Sequence, residues 1–305
     1  MSKIEKALNK VRDSGRLQMI SSVPEQESSV PVRLDSKREN GDETALIEHR
    51  ASATEAIAHM HEITLLGQRA LAERCIIHPE LGENSAVRPF REIRTKIIQK
   101  SKGRNCVIMV TSVTGSGGSS FVTFNLGVAF ALDDSKTALL IDCNFRNSSL
   151  HELFPGKKHL GLTDYLENPE MDIADVIHPV GIKRLRIIPS GARREISAEY
   201  FTSVKMKQMI DSIKNRYRER YVIIDAPPTT ESADMQILAD LCDYVILIVP
   251  YGRVKDSQVE ACVKSIPDSK LLGIVFNNEP TLPVINWWGI LNPFLALWHR
   301  IFSRS

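Results

Sequence analysis

Three glycines, Gly115, Gly117 and Gly118, lie within four positions and are followed directly by Ser119 and Ser120. The stretch 106–127 reads CVIMVTSVTGSGGSSFVTFNLG: a β-branched apolar run, a Gly/Ser loop, then a helical pattern from about residue 119. Strand, glycine loop and helix N-terminus are the layout of a phosphate-binding loop. Successive backbone N–H groups in such a loop, with the positive end of the following helix, form an anion nest. Ser120 fits the hydroxyl position that ligates Mg²⁺ and bonds a phosphate. The pattern calls for Gly-Lys-Ser/Thr at the end of the loop, and Ser119 stands where the lysine belongs. A lost charge-assisted hydrogen bond costs about 1.5–3 kcal/mol, roughly 10- to 150-fold in affinity. The cost is larger where charge develops on a transferring group.

Two carboxylates follow at strand ends. TALLIDCNFRNSS stops an apolar run at Asp142, with Asn144 and Arg146 on alternate positions after it. RYVIIDAPPTTESAD runs four apolar residues into Asp225, then Ala-Pro-Pro. Asp142 could hold Mg²⁺ through water or polarise an attacking hydroxyl, and Asp225, fixed by the two prolines, suits water-mediated coordination of Mg²⁺. A lone aspartate at a strand end is more often a turn former or helix cap. A glycine loop and two such aspartates in this order form a much more specific set. Asp234 is expected to cap the next helix or line the pocket.

These residues need a frame. Strands are expected at 106–112, 137–142, 185–189, 221–225, 243–249 and 271–276, and helices near 119–132, 161–167, 202–217, 232–239 and 256–264. Short continuous apolar strands such as YVIID mark a parallel sheet buried on both faces. The alternation predicts an α/β, doubly wound, mainly parallel sheet flanked by helices, with ligands at the carboxyl ends of the strands. Ahead of it are expected an amphipathic helix over 2–12, a polar, disordered linker over 13–43 and a helical region over 44–85; the α/β domain itself is expected over 86–280.

The 305 residues carry a net charge of +2, which gives no case for nucleic acid. The five cysteines are scattered without metal-ligand spacing and read as buried thiols of a reducing compartment. His49, His59, His61 and His78 are too irregularly spaced for a metal site. No secretory signal and no uncharged apolar run of membrane-spanning length stands out. The stretch 284–305, VINWWGILNPFLALWHRIFSRS, is different. Asn292 and Pro293 suit a helix start. Phe294, Trp298 and Phe302 then fall on one face, Trp287 and Trp288 precede, and Arg300 and Arg304 add charge. That pattern fits a helix lying in a membrane interface, or packed on a partner.

Taken together, the motifs resemble those of the bacterial tyrosine kinases of exopolysaccharide and capsule export, a P-loop branch shared with the Min septum-site and chromosome-partitioning ATPases. That family's loop reads TS-x-x-PGEGKS ahead of N-L-A; here TSVTGSGGSS precedes Asn125, Leu126 and Gly127. Its D-x-D-x-R is matched by Asp142, Asn144 and Arg146, and its D-x-PP by Asp225, Pro227 and Pro228. PFREIRTKI resembles its F-R-x-L-R-T segment. The resemblance implies a site for ATP or ADP with Mg²⁺ built from Gly115, Gly117, Gly118, Ser119, Ser120, Phe121 and Arg146. It assigns the metal to Ser120, Asp142 and Asp225, any catalysis to the two aspartates, and subunit contacts to Arg91 and Arg94. It also implies a cytoplasmic protein peripheral to the inner membrane, bound to a chain-length (co-polymerase) protein.

Four departures run in one direction. Ser119 replaces the lysine, Asn144 replaces a carboxylate, Arg88 replaces the glutamate of the ring-forming E-x-x-R-x-x-R pattern, and no tyrosine follows Tyr251 where the family carries a tyrosine cluster. The expectation is a member with impaired or lost kinase activity that binds nucleotide weakly or not at all. Two alternatives stay open. One is an active autokinase using Arg146 or another cation. The other is a Min-type positioning ATPase, although Thr114 stands where those proteins carry an additional lysine.

Overall fold

The computed structural model describes residues 66–78, 81, 87–150, 159–195, 197–230 and 234–278. The expected helix at 2–12, the linker at 13–43, most of the 44–85 region and the 284–305 stretch lie outside the described residues.

Helix α1 (Gln68–Glu73) and helix α2 (Arg88–Lys100) precede strand β1 (Val107–Ser112). Helix α3 (Ser119–Ala131) and β2 (Thr137–Asp142) follow, then α4 (Leu162–Glu167), a 3₁₀ turn at Ile173–Val176, β3 (His178–Pro179) and β4 (Leu185–Ile188). The remainder is α5 (Ala198–Thr202), α6 (Val204–Arg216), β5 (Arg220–Asp225), α7 (Met235–Asp240), β6 (Tyr244–Pro250), α8 (Asp256–Ser265) and β7 (Leu271–Asn277). The six expected strands all form. The helix expected over 202–217 forms as α6, started by Ser203, which is extended and whose side chain accepts from Met206 N–H at 3.1 Å; the short α5 ahead of it was not anticipated. The brief β3 was not anticipated; two residues are too short to show a period.

The sheet order is β3-β4-β2-β5-β1-β6-β7, parallel throughout except for the β3–β4 pair. Both faces are covered. Ile108, Val110, Ala138 and Leu140 pack with residues of α1, α2 and α3, whereas Val107, Met109, Leu139 and Ile141 pack with α6 and α7. The alternation along each strand therefore separates two cores, and this is why the strands read as unbroken apolar runs. Residues ahead of position 86 join the first core: Leu71, Ile76 and Ile77 are buried in it, and Ile77 N–H donates to Asn125 Oδ1 at 2.8 Å.

Helix α3 carries the loop, and it is apolar nearly all round because α2 covers the side facing away from the sheet. Phe124 on α3 is fully buried. Phe124→Ala is expected to cost about 3–5 kcal/mol of folding stability through lost burial and a residual cavity. Urea unfolding would show this as a lower midpoint at unchanged slope.

Candidate active site

The sheet order explains how three distant motifs meet. β5 lies between β1 and β2, so the loop after β1, the end of β2 and the end of β5 share one rim. Asp142 and Asp225 are register partners on adjacent parallel strands, and Val110 of β1 pairs with Asp225 from the other side. Neighbouring strands lie roughly 4.8 Å apart, so the two carboxylates stand side by side. Both are fully buried.

Their bonding differs. Asp142 Oδ1 accepts from the Asn144 N–H at 3.0 Å and its Oδ2 from the Ser148 hydroxyl at 2.6 Å. Asp225 Oδ2 accepts from the Ser120 hydroxyl at 2.5 Å, while its buried Oδ1 has no hydrogen-bond partner among the described residues. Burial, and then the negative charge of Asp142, push the Asp225 carboxyl well above its ordinary value; the hydroxyls of Ser120 and Ser119 offset part of this. Two adjacent buried carboxylates and an orphaned oxygen disfavour a second negative charge unless a cation compensates it.

The loop is tightly built. Ser112 Oγ donates to the Thr114 carbonyl at 2.8 Å. A Cβ on Gly117 would lie 2.6 Å from Ser112 Cβ, and Gly118 has φ +87° with Asn277 Nδ2 where its Cβ would point. Glycine is required at both places, at the first for close approach and at the second for handedness. Behind the loop, Thr111 Oγ1 donates to the Pro227 carbonyl at 2.7 Å and Thr230 Oγ1 to the Val113 carbonyl at 2.8 Å. The Ala-Pro-Pro segment is thereby bonded to the base of the loop.

Hard oxygen donors suit Mg²⁺, which keeps several waters and takes only one or two protein carboxylates. The orphaned Asp225 oxygen, Asp142 and the Ser120 hydroxyl fit such an ion, and the glycine cradle fits a phosphate. Among the described residues no cluster of three or more His, Cys, Asp or Glu side chains forms a metal cage. A substrate-completed Mg²⁺ site does not require one.

Ser119 is the first residue of α3 and is buried, near Asp225. Phe121 packs edge-on against Phe90 of α2, with ring centroids 6.1 Å apart, on the side of α3 that meets α2. Arg146 Nε donates to the Glu195 carbonyl at 2.8 Å, and Arg194 N–H returns to the Phe145 carbonyl at 3.3 Å, binding the segment after β2 to residues 194–195. Arg94 Nη1 donates to the Ala129 carbonyl at 2.8 Å, a fastening of α2 to the end of α3 that the subunit-contact expectation did not include. Arg91 is half-buried on α2. Asp234 does not cap α7 with its side chain; its Oδ2 accepts from Ser197 Oγ at 2.8 Å. Trp287, Trp288, Phe294, Trp298 and Phe302 lie outside the described residues.

Two contributors were missed. Asn277, the last residue of β7, donates from Nδ2 to the Gly117 carbonyl at 3.0 Å. Arg253, after β6, donates from Nη1 to the Ser116 carbonyl at 3.3 Å. Asn277 had a legible signal, a polar residue closing an apolar parallel strand. Arg253 had none.

No family model matches the chain. Tyrosine-protein kinase CpsD of Streptococcus agalactiae serotype III (strain NEM316) is 35% identical over 191 residues, covering 62% of this chain and 80% of the relative. Tyrosine-protein kinase YwqD of Bacillus subtilis (strain 168) is 31% identical over 193 residues, again 62% and 80%. Among solved structures, the chimerical protein CapA2B2 superposes with a TM-score of 0.62 at 24% identity, covering 76% of this chain and all of that one. The kinase domain of the Escherichia coli tyrosine kinase ETK gives 0.60 at 22%, covering 74% and 86%. The two superpositions bear on the fold, and the sequence matches on kinship.

Proposed function

Because the chain belongs to the family of bacterial tyrosine-protein kinases with a P-loop fold, we propose that it is a nucleotide-binding member in which phosphoryl transfer is impaired or lost. On this reading it serves exopolysaccharide or capsule export as a nucleotide-gated partner of an inner-membrane chain-length protein. One observation carries the reading. The cradle, the Ser120 hydroxyl and the Asp142–Asp225 pair are assembled, yet the helix position that should hold the cation is a buried serine beside Asp225. Bound Mg²⁺ would shield the charge between the carboxylates and phosphate oxygens. The chain's own part is to hold it through Ser120, Asp142 and Asp225 and to orient phosphates on the loop N–H groups. Without a lysine, binding loses strength, and charge developing on a transferring group loses more.

Calorimetric titration with Mg-ADP and Mg-ATP, run beside phosphotyrosine detection, tests this. Uptake of nucleotide with little or no phosphotyrosine supports it. A robust phosphotyrosine signal that disappears in Asp142→Ala would support the active-kinase alternative instead.

Among the described residues no helix is long and apolar enough to cross a membrane. We place the protein at the cytoplasmic face of the inner membrane through residues 284–305, whose three tryptophans and two arginines suit an anionic interface. Deleting 284–305 should then shift the protein from the membrane fraction to the supernatant; unchanged fractionation would refute the anchoring role.

A further inference from the structure

The loop lacks a cation at its helix end, but one touches it at the apex. β6 ends at Pro250, and Arg253 N–H donates back to the Pro250 carbonyl at 3.4 Å, closing a turn with Gly252 at φ +69°. Two further contacts fix this turn beside the phosphate loop. Tyr251 N–H donates to the Asn277 carbonyl at 2.8 Å, and the Asn277 side chain holds the Gly117 carbonyl at 3.0 Å. From the turn, Arg253 Nη1 reaches the Ser116 carbonyl at 3.3 Å. Ser116 itself has φ +54°, so the apex backbone is held in a left-handed conformation at a non-glycine residue.

We propose that Arg253 supplies the cationic contact to the phosphates of a bound nucleoside di- or triphosphate that residue 119 cannot make. The assignment rests on the reading of the site as a Mg-nucleotide cradle. Arg253 is exposed, and a guanidinium carries five donors in a planar fork, of which Ser116 engages one. The rest remain for phosphate oxygens, which arginine binds in bidentate fashion. A purely mechanical latch is a poorer account, because the Asn277 amide already grips the adjacent carbonyl at the shorter distance. The position also explains why binding and transfer would part company. A cation on the rim strengthens ground-state binding, but it does not occupy the start of α3 beside Asp225, where charge on a transferring group would be met.

The test separates charge from latch. Mg-ADP and Mg-ATP are titrated into the full chain as wild type, Arg253→Lys, Arg253→Gln and Arg253→Ala, with thermal melts to confirm folding. Arg253→Gln keeps a donor for the Ser116 carbonyl without the charge. It should bind roughly 10-fold or more weakly, like Arg253→Ala, given the strength of a charge-assisted bond. Arg253→Lys, which keeps the charge but not the fork, should bind between wild type and Arg253→Gln, and Ser119→Lys added to Arg253→Gln should restore binding. If the wild type binds and Arg253→Gln binds equally well, the assignment of Arg253 is overturned while the functional reading stands. If the wild type takes up neither nucleotide, both are overturned.

Discussion

Ser119→Lys should raise affinity for Mg-ATP by about 10- to 150-fold, the range set by one charge-assisted hydrogen bond. It should raise phosphotyrosine formation or phosphate release by a larger factor. The reason is positional. Residue 119 is the first of α3, directly after the Gly117–Gly118 turn, and it lies beside the buried Asp225. A lysine there adds full positive charge at the helix N-terminus, where the nest already concentrates donors. It would also neutralise part of the charge that the Asp142–Asp225 pair imposes. Calorimetry and phosphotyrosine blotting on the same preparation check the two halves. A variant that binds more tightly but transfers no faster would place the defect elsewhere, with Asn144 the next residue to restore to aspartate.

Asp225→Asn carries the second large effect, and it depends on pH. In the folded protein the Asp225 carboxyl titrates well above its ordinary value because it is buried beside Asp142. Between the ordinary carboxylate value near 4 and that raised value, the native state holds a proton that the unfolded chain has released. Wild-type stability therefore falls with rising pH across this window, by up to about 1.4 kcal/mol per pH unit from this one group. Asparagine is nearly isosteric, can still accept from Ser120 and has nothing to titrate. The variant should match or trail the wild type below pH 4 and gain on it steadily above, as read from urea midpoints at a series of pH values. Binding shows the converse: Mg-nucleotide uptake by the wild type should strengthen with pH and release a proton, giving a heat that depends on the buffer, and Asp225→Asn should lose most of the affinity. A stability difference that is flat with pH would contradict the assignment of the raised group.

The parts of this architecture written in local pattern were legible from the residues. The apolar runs ending at Ser112, Asp142 and Asp225 gave three strands of a parallel sheet, because burial on both faces demands unbroken hydrophobicity. The loop was legible because phosphate binding needs glycine where backbone must approach closely. What escaped was set by tertiary context. Helix α5 is only five residues long and stops at the extended Ser203, whose hydroxyl caps α6, so it is too short to show a period of its own. Arg253 and Asn277 are more than 130 residues from the loop carbonyls they bond, and they arrive there because β6 and β7 lie beyond β1 in the sheet. The engagements of Arg146 with Glu195 and of Arg94 with Ala129 are likewise invisible in a motif, which specifies a residue type but not its partner.

The most direct measurement is single-turnover phosphoryl transfer by the wild-type chain under conditions where calorimetry shows the site filled with Mg-ATP. The account predicts a filled site with transfer slower by orders of magnitude than in a relative that carries the loop lysine. Transfer at the relative's rate from the Ser119 protein would contradict it.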